Sequence, residues 1–346
     1  MPTPRRPAGH AAVPRRRRRA ARAPGGARLA LAVLGLSLGL AACTSASDDG
    51  GAAGPSPSPG MMGDVDDAPT DSRTDRSLDP VRPLTTRYGD APEQVADLYG
   101  DPTLPGSGPV PVVVLVHGGY WRSGFDRSLE LSLARDLVGA GYAVWNIDYR
   151  GVGAADAASE GGWPATFTDV ASAVDALPDA LDEVSVERGP TAVVGHSAGG
   201  TLALWLASRD TLPDGAPGAG PVVVPDAVVS QAGVDDLAAA SAAGAGGGAV
   251  DDLMGSAPDD APDDRYALAD PAQRVPLGVP TLVVTGRDDS TVPPSQTTGY
   301  GATALDAGDD VTVEVVDGEG HFEQIDPASR SWAVTRDWLD ERLLGR

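Results

Sequence analysis

The stretch Thr191-Ala-Val-Val-Gly-His-Ser-Ala-Gly-Gly-Thr-Leu-Ala-Leu-Trp-Leu206 decides the fold. Its first four residues are small or β-branched and end at a glycine, the composition of a strand buried on both faces. Residues 201–207 are small and apolar and read as a helix able to pack closely. Between the two lies Gly195-His-Ser-Ala-Gly199, a G-x-S-x-G pattern that puts a serine on a tight strand-to-helix turn with its hydroxyl projecting from the top of the sheet. The flanking glycines have a steric reason, since such a turn leaves no room for side chains. With 44 glycines and 23 serines among 346 residues, chance alone supplies roughly 0.4 such patterns. The strand before it and the helix after it therefore carry the assignment.

The same alternation runs outward in both directions. Val110-Pro-Val-Val-Val-Leu-Val116 and Ala143-Val-Trp-Asn-Ile147 read as strands, as do Ala227-Val-Val229, Thr281-Leu-Val-Val284 and residues 311–316. Amphipathic runs over 129–138, 167–177 and about 329–344 read as helices. Val-rich strands separated by helices predict an α/β fold, a mostly parallel doubly wound sheet with helices on both faces. The rhythm breaks over 234–271, where Ala242-Ala-Gly-Ala-Gly-Gly-Gly-Ala249 looks too flexible to be core. This stretch is expected to be an inserted loop or small cap near the mouth of a site.

A serine hydroxyl becomes a nucleophile when a base takes its proton, and the base is usually histidine. The chain has four. His10 lies in the N-terminal segment, His196 adjoins the serine on a turn expected to aim its side chain elsewhere, and His117 ends a strand. His321, in Gly318-Glu-Gly-His-Phe322 after the last strand, is left as the base for Ser197. The acid that would orient it follows the strand from Thr281, in Gly286-Arg-Asp-Asp-Ser-Thr-Val-Pro293. Asp289 fits a G-x-x-D-x-x-V-P pattern, and Asp288 serves if the turn shifts by one residue. Asp317 and Glu319 are too close to His321 in sequence to be preferred. The chain order Ser, Asp, His is that of the α/β-hydrolase arrangement.

Donors for a developing oxyanion are expected from His117-Gly-Gly-Tyr-Trp121, which follows a buried strand. The amides of Gly119 and Tyr120, with that of Ala198, are the candidates. Trp121, Tyr149 and Trp163 are candidate pocket residues. The pairs Asp259-Asp260 and Asp263-Asp264 lack the spacing of a calcium loop, and neither a metal nor a cofactor is implied.

All 26 basic residues are arginines, and nine of them precede the first acid, Asp48. The remainder carries 17 arginines against 49 acids, a balance of −32. A body so acidic repels phosphate backbones and makes nucleic acid a poor partner. The arginine-rich start is followed by an apolar run, Leu29 to Leu40, shorter than the roughly 20 residues of a spanning helix, and then by Leu40-Ala-Ala-Cys43. Residues 1–42 are read as a signal peptide ending in a lipobox-like tetrapeptide. Cys43 would then carry the lipid that anchors the chain outside the cytoplasm, on the cell membrane. As the sole cysteine it can form no disulfide within the chain and no Cys-based zinc site. The Gly/Ser/Pro/Asp-rich segment 43–75 is expected to be a disordered tether, and 76–346 one folded domain.

The run HGGYW, then Trp145-Asn-Ile-Asp-Tyr-Arg150, Gly161-Gly-Trp-Pro164, GHSAGG and Pro276-Leu-Gly-Val-Pro280 resembles the arylformamidase (kynurenine formamidase) branch of the α/β-hydrolase superfamily. Carboxylesterases, lipases and feruloyl or acetyl-xylan esterases share the HGG loop and the serine turn. The resemblance implies a serine hydrolase acting on a small-molecule ester or activated amide. Short-acyl esters are the expected substrates because the insertion over 234–271, rich in small and acidic residues, is not expected to form the broad apolar lid that long-chain lipases use. N-formylkynurenine-like formamides are the alternative, and a non-catalytic binding lipoprotein on a hydrolase scaffold is a further one.

Overall fold

The computed structural model describes residues 78–346, within the compact unit Thr70–Arg346. The arginine-rich and apolar segments, Cys43 and the whole of the expected tether lie outside the described residues. Eight strands form one sheet: β1 (Leu84–Arg87), β2 (Val95–Tyr99), β3 (Val110–Val116), β4 (Ala143–Ile147), β5 (Arg188–His196), β6 (Ala227–Gln231), β7 (Thr281–Gly286) and β8 (Val311–Val316). Their order is β1-β2-β4-β3-β5-β6-β7-β8. The contacts of β2 with β1 and with β4 are antiparallel, and every other pairing is parallel. The mostly parallel sheet is the one expected.

The uninterrupted valines have a direct cause in this geometry. Side chains alternate across a strand, so Val112, Val114 and Val116 enter the core on one face while Val113 and Leu115 enter it on the other. All five are at most 1% exposed. Nine helices cover the sheet among the described residues: α1 (Leu131–Gly139), α2 (Ala165–Asp175), α3 (Leu177–Glu183), α4 (Ala198–Ala207), α5 (Leu237–Ala242), α6 (Ala249–Met254), α7 (Arg265–Ala269), α8 (Ser295–Ala307) and α9 (Arg330–Leu339). Phe167 of α2, Leu202 of α4 and Tyr300 of α8 pack on the first face, and Leu137 of α1 with Trp332 of α9 on the second. Burying one such large side chain contributes about 1.5–3 kcal/mol. None of these helices is long and apolar enough to cross a membrane.

The segment 234–271, expected as an inserted loop or small cap, carries α5, α6 and α7 with Leu237, Val250, Leu253 and Met254 buried, while none of residues 242–248 is buried. Its glycines make a short link, with Gly244, Gly246, Gly247 and Gly248 all at positive φ, while apolar anchors on either side pack into the core. Strands β1 and β2 carry no recognisable valine run. Asp97 in the middle of β2 is tolerated because Arg127 Nε lies 2.7 Å from its carboxylate.

His117, Ser197 and Asp289 follow the C-terminal ends of β3, β5 and β7, and His321 follows β8. Parallel strands gather these ends along one edge of the sheet, where ligands of such folds are bound.

Candidate active site

Ser197 heads α4 with φ 56° and ψ −121°, a conformation that costs a non-glycine residue about 1–3 kcal/mol and so requires the surroundings to impose it. The close approach is real on both sides. A Cβ on Gly199 would meet the Val116 carbonyl oxygen at 2.0 Å, and one on Gly195 would meet that of Gly199 at 2.0 Å. The Ser197 amide is fixed by the Gln231 carbonyl at 2.8 Å.

The Ser197 hydroxyl lies 3.0 Å from Nε2 of His321, and Nδ1 of that ring lies 2.7 Å from Oδ2 of Asp289. With Nδ1–H donating to the carboxylate, Nε2 is left as the acceptor for the serine proton. The other Asp289 oxygen, Oδ1, accepts the amides of Thr291 at 2.8 Å and Val292 at 2.9 Å. All three side chains are buried. Asp288 is exposed, and of the two neighbouring acids it is Asp289 that meets the histidine. Asp317 pairs with Arg287, and Glu319 accepts from Ser331 and Arg330.

His196 is not aimed away from this group. Its ring lies 4.7 Å from that of His321, and its Nε2–H donates to the His321 carbonyl at 2.9 Å. Burial, with His321 close by, pushes its imidazole down to about 3, so it stays neutral and holds the backbone of the histidine that faces Ser197.

The loop after β3 is held from below. His117 Nδ1 lies 2.7 Å from the Gly118 carbonyl and Nε2 lies 3.0 Å from Asp148, which also takes Arg127 Nη1 at 3.1 Å. With the Gly118 carbonyl drawn to the ring, the trans peptide turns the Gly119 N–H the opposite way. Gly119 has φ 111°, and a Cβ there would strike the Phe125 ring at 2.3 Å. Neither the Gly119 nor the Tyr120 amide donates to a backbone carbonyl among the loop hydrogen bonds, and the Ala198 amide, in the first turn of α4, has no partner within its helix. Trp121 ties the loop to α4 through Nε1–H, which donates to the Ala198 carbonyl at 2.9 Å.

Two cavities open at Ser197. One, of about 180 Å3, has Trp121, Val292 and the small residues of 239–249 in its walls. The other, of about 210 Å3, has Phe125, Leu129, His321 and Phe322. Of the three aromatic residues expected in a pocket, Trp121 lines the first. Tyr149 and Trp163 line neither. Tyr149 stacks on His117 with ring centroids 4.2 Å apart and donates its hydroxyl to the His117 carbonyl, while Trp163 packs edge-on against Phe167. Both are therefore packing residues, Tyr149 buried and Trp163 partly buried against the core. The sequence reading missed Phe125, Thr291 and Phe322, which lie in irregular segments without a period to mark them, and Leu129, which it took only as the start of an amphipathic helix. Among the described residues no group of three or more His, Cys, Asp or Glu is placed to hold a metal ion.

The BD-FAE family model matches residues 97–302. The chain is 32% identical over 130 residues to the esterase LipI of Mycobacterium tuberculosis, a match covering 38% of this chain and 36% of LipI. It is 32% identical over 115 residues to the esterase LipC of the same organism, covering 33% of this chain and 27% of LipC. The matches thus span about a third of the length of these curated relatives. A truncated carbohydrate esterase from gut microbiota superposes with a TM-score of 0.64 at 20% identity, over 78% of this chain and 99% of that one. Esterase B of Lactobacillus rhamnosis, in a structure with a tributyrin phosphonate inhibitor, superposes with a TM-score of 0.63 at 21% identity, over 76% and 85%. The fold is that of the α/β-hydrolase esterases.

Proposed function

The chain belongs to the BD-FAE family, and from that premise we propose that it is a serine hydrolase cleaving short-acyl carboxylic esters through an acyl-enzyme. The observation that carries the reading is the hydrogen-bonded series Asp289, His321, Ser197 ending at a serine that faces two cavities. Ser197 attacks the ester carbonyl as His321 Nε2 takes its proton. Asp289 keeps Nδ1 protonated and steadies the imidazolium that forms. The amides of Gly119, Tyr120 and Ala198 receive the oxyanion.

The acidic body favours neutral or cationic esters over anionic ones, since its field disfavours the approach of negative ligands. The N-terminal sequence supports a location outside the cytoplasm, anchored to the cell membrane by lipid on Cys43, which gives the enzyme extracellular small-molecule esters to meet. The resemblance of HGGYW and its companion motifs to the arylformamidases makes N-formylkynurenine-like formamides the second reading. The two readings separate in one assay: kcat/KM for p-nitrophenyl acetate, butyrate and decanoate beside N-formylkynurenine. Preference for the acetate or butyrate is expected. A clear preference for N-formylkynurenine, or for the decanoate, contradicts the short-acyl assignment.

A further inference from the structure

Ser197 borders both cavities, but His321 borders only the second. This asymmetry has a chemical consequence if Ser197 is the nucleophile, and the inference rests on that reading. Attack forms the Oγ–C bond and breaks the bond from the acyl carbon to the alcohol oxygen. The proton taken from Oγ passes through Nε2 of His321 to the departing oxygen, so the alcohol must leave on the histidine's side. Water then attacks the acyl carbon, Nε2 takes its proton and returns it to Oγ, and the carboxylic acid is released. The acyl chain stays on Oγ throughout and has to lie on the side away from His321.

We infer that the first cavity, walled by 239–250, receives the acyl group and that the second, beside His321, receives an uncharged, flat, apolar alcohol. Each cavity is furnished accordingly. In the first, Ala239, Ala240, Ala243, Ala245 and Ala249 each reach only one methyl inward, and a Cβ on Gly246 would sit 2.9 Å from the Tyr120 ring. Small residues leave the space, and Gly246 lies close against the Tyr120 ring. The second is bounded by Phe125, Leu129, Phe322 and Ile325. Phe322 is 67% exposed and Phe125 43%, so apolar rings stand in water at this mouth until something apolar covers them. Aromatic rings prefer offset or edge-on partners of their own kind, which favours an aryl alcohol.

The test is a matrix of kcat/KM values on the full chain and four variants. One axis is acyl length, p-nitrophenyl acetate against butyrate; the other is alcohol, 1-naphthyl acetate against methyl acetate. Ala239→Leu, at an exposed helical position lining the first cavity, should lower the butyrate-to-acetate ratio about tenfold, and Val250→Ala should raise it. Neither should move the naphthyl-to-methyl ratio by more than about twofold. Phe322→Ala and Leu129→Ala should lower the naphthyl-to-methyl ratio about tenfold and leave the acyl ratio in place. A crossed pattern, with Ala239→Leu altering alcohol preference, overturns the assignment, as do variants that move both ratios together or neither. If the unaltered chain hydrolyses none of these esters, the hydrolase reading itself fails, a result distinct from a crossed pattern.

Discussion

Oδ2 of Asp289 lies 2.7 Å from Nδ1 of His321, across 32 positions of sequence, while its other oxygen is occupied by the amides of Thr291 and Val292. The carboxylate is thus fixed by its own turn before it meets the ring. Asp289→Asn should lower kcat by on the order of 10^3- to 10^4-fold with the fold intact, because the amide fails to select the needed tautomer. Asp288→Asn, at an exposed position, should cost about tenfold or less. Rates and circular dichroism of the two variants decide the matter, and the reverse ranking would move the acid by one residue.

Ser197→Ala, His321→Ala and the double variant should lose activity to nearly the same level, since groups acting as one unit do not contribute additively. Single-turnover rates measure this. Losses that multiply would contradict a shared role.

His117→Ala should lower kcat about 10- to 100-fold with KM changed only a few-fold, because the Gly118 carbonyl loses the ring that turns the following amide. A thermal melt accompanies the kinetics. An activity loss that merely follows the unfolded fraction would reduce His117 to a packing role.

Glu130 is buried at the start of α1, and its Oε1 has no hydrogen-bond partner. Burial pushes its carboxyl up to about 8. The folded chain therefore binds this proton more tightly than the unfolded one, and stability is fully present below about 4.5 and declines as pH rises toward 8. Glu130→Gln should raise Tm more at pH 8 than at pH 5. An equal shift at both values would show that the carboxyl does not titrate differently on folding.

Cys43→Ala should release the protein from membranes or stall its processing, since acyl chains are proposed as its durable attachment. Fractionation of cells expressing the variant tests this, and unchanged membrane partition contradicts the anchor.

The parts of the fold that were legible in the sequence are those with a repeating physical cause. Val110-Pro-Val-Val-Val-Leu-Val116 matches β3 end to end because a strand covered on both faces leaves no polar position to interrupt it. Helix α8 was illegible for the opposite reason, since Thr297, Gly299, Gly301 and Thr303 leave no apolar stripe. At the site, Ser197 and His321 stood out because motif and chain order restrict them, and Asp289 was separable from Asp288 only by a turn pattern. Phe125 and Phe322 gave no signal. Their place at the second cavity comes from loop paths that depend on the folded sheet beneath them, and the same dependence misled the reading of Tyr149 and Trp163.

The most direct test of Ser197 as nucleophile is intact and peptide mass spectrometry after exposure to a fluorophosphonate, with ester hydrolysis followed in parallel. One phosphonyl adduct per chain on the peptide containing Ser197, loss of hydrolysis in step with labelling, and neither in Ser197→Ala is the expected result. Labelling of Ser197→Ala equal to that of the unaltered chain, or undiminished hydrolysis by it, would contradict the account.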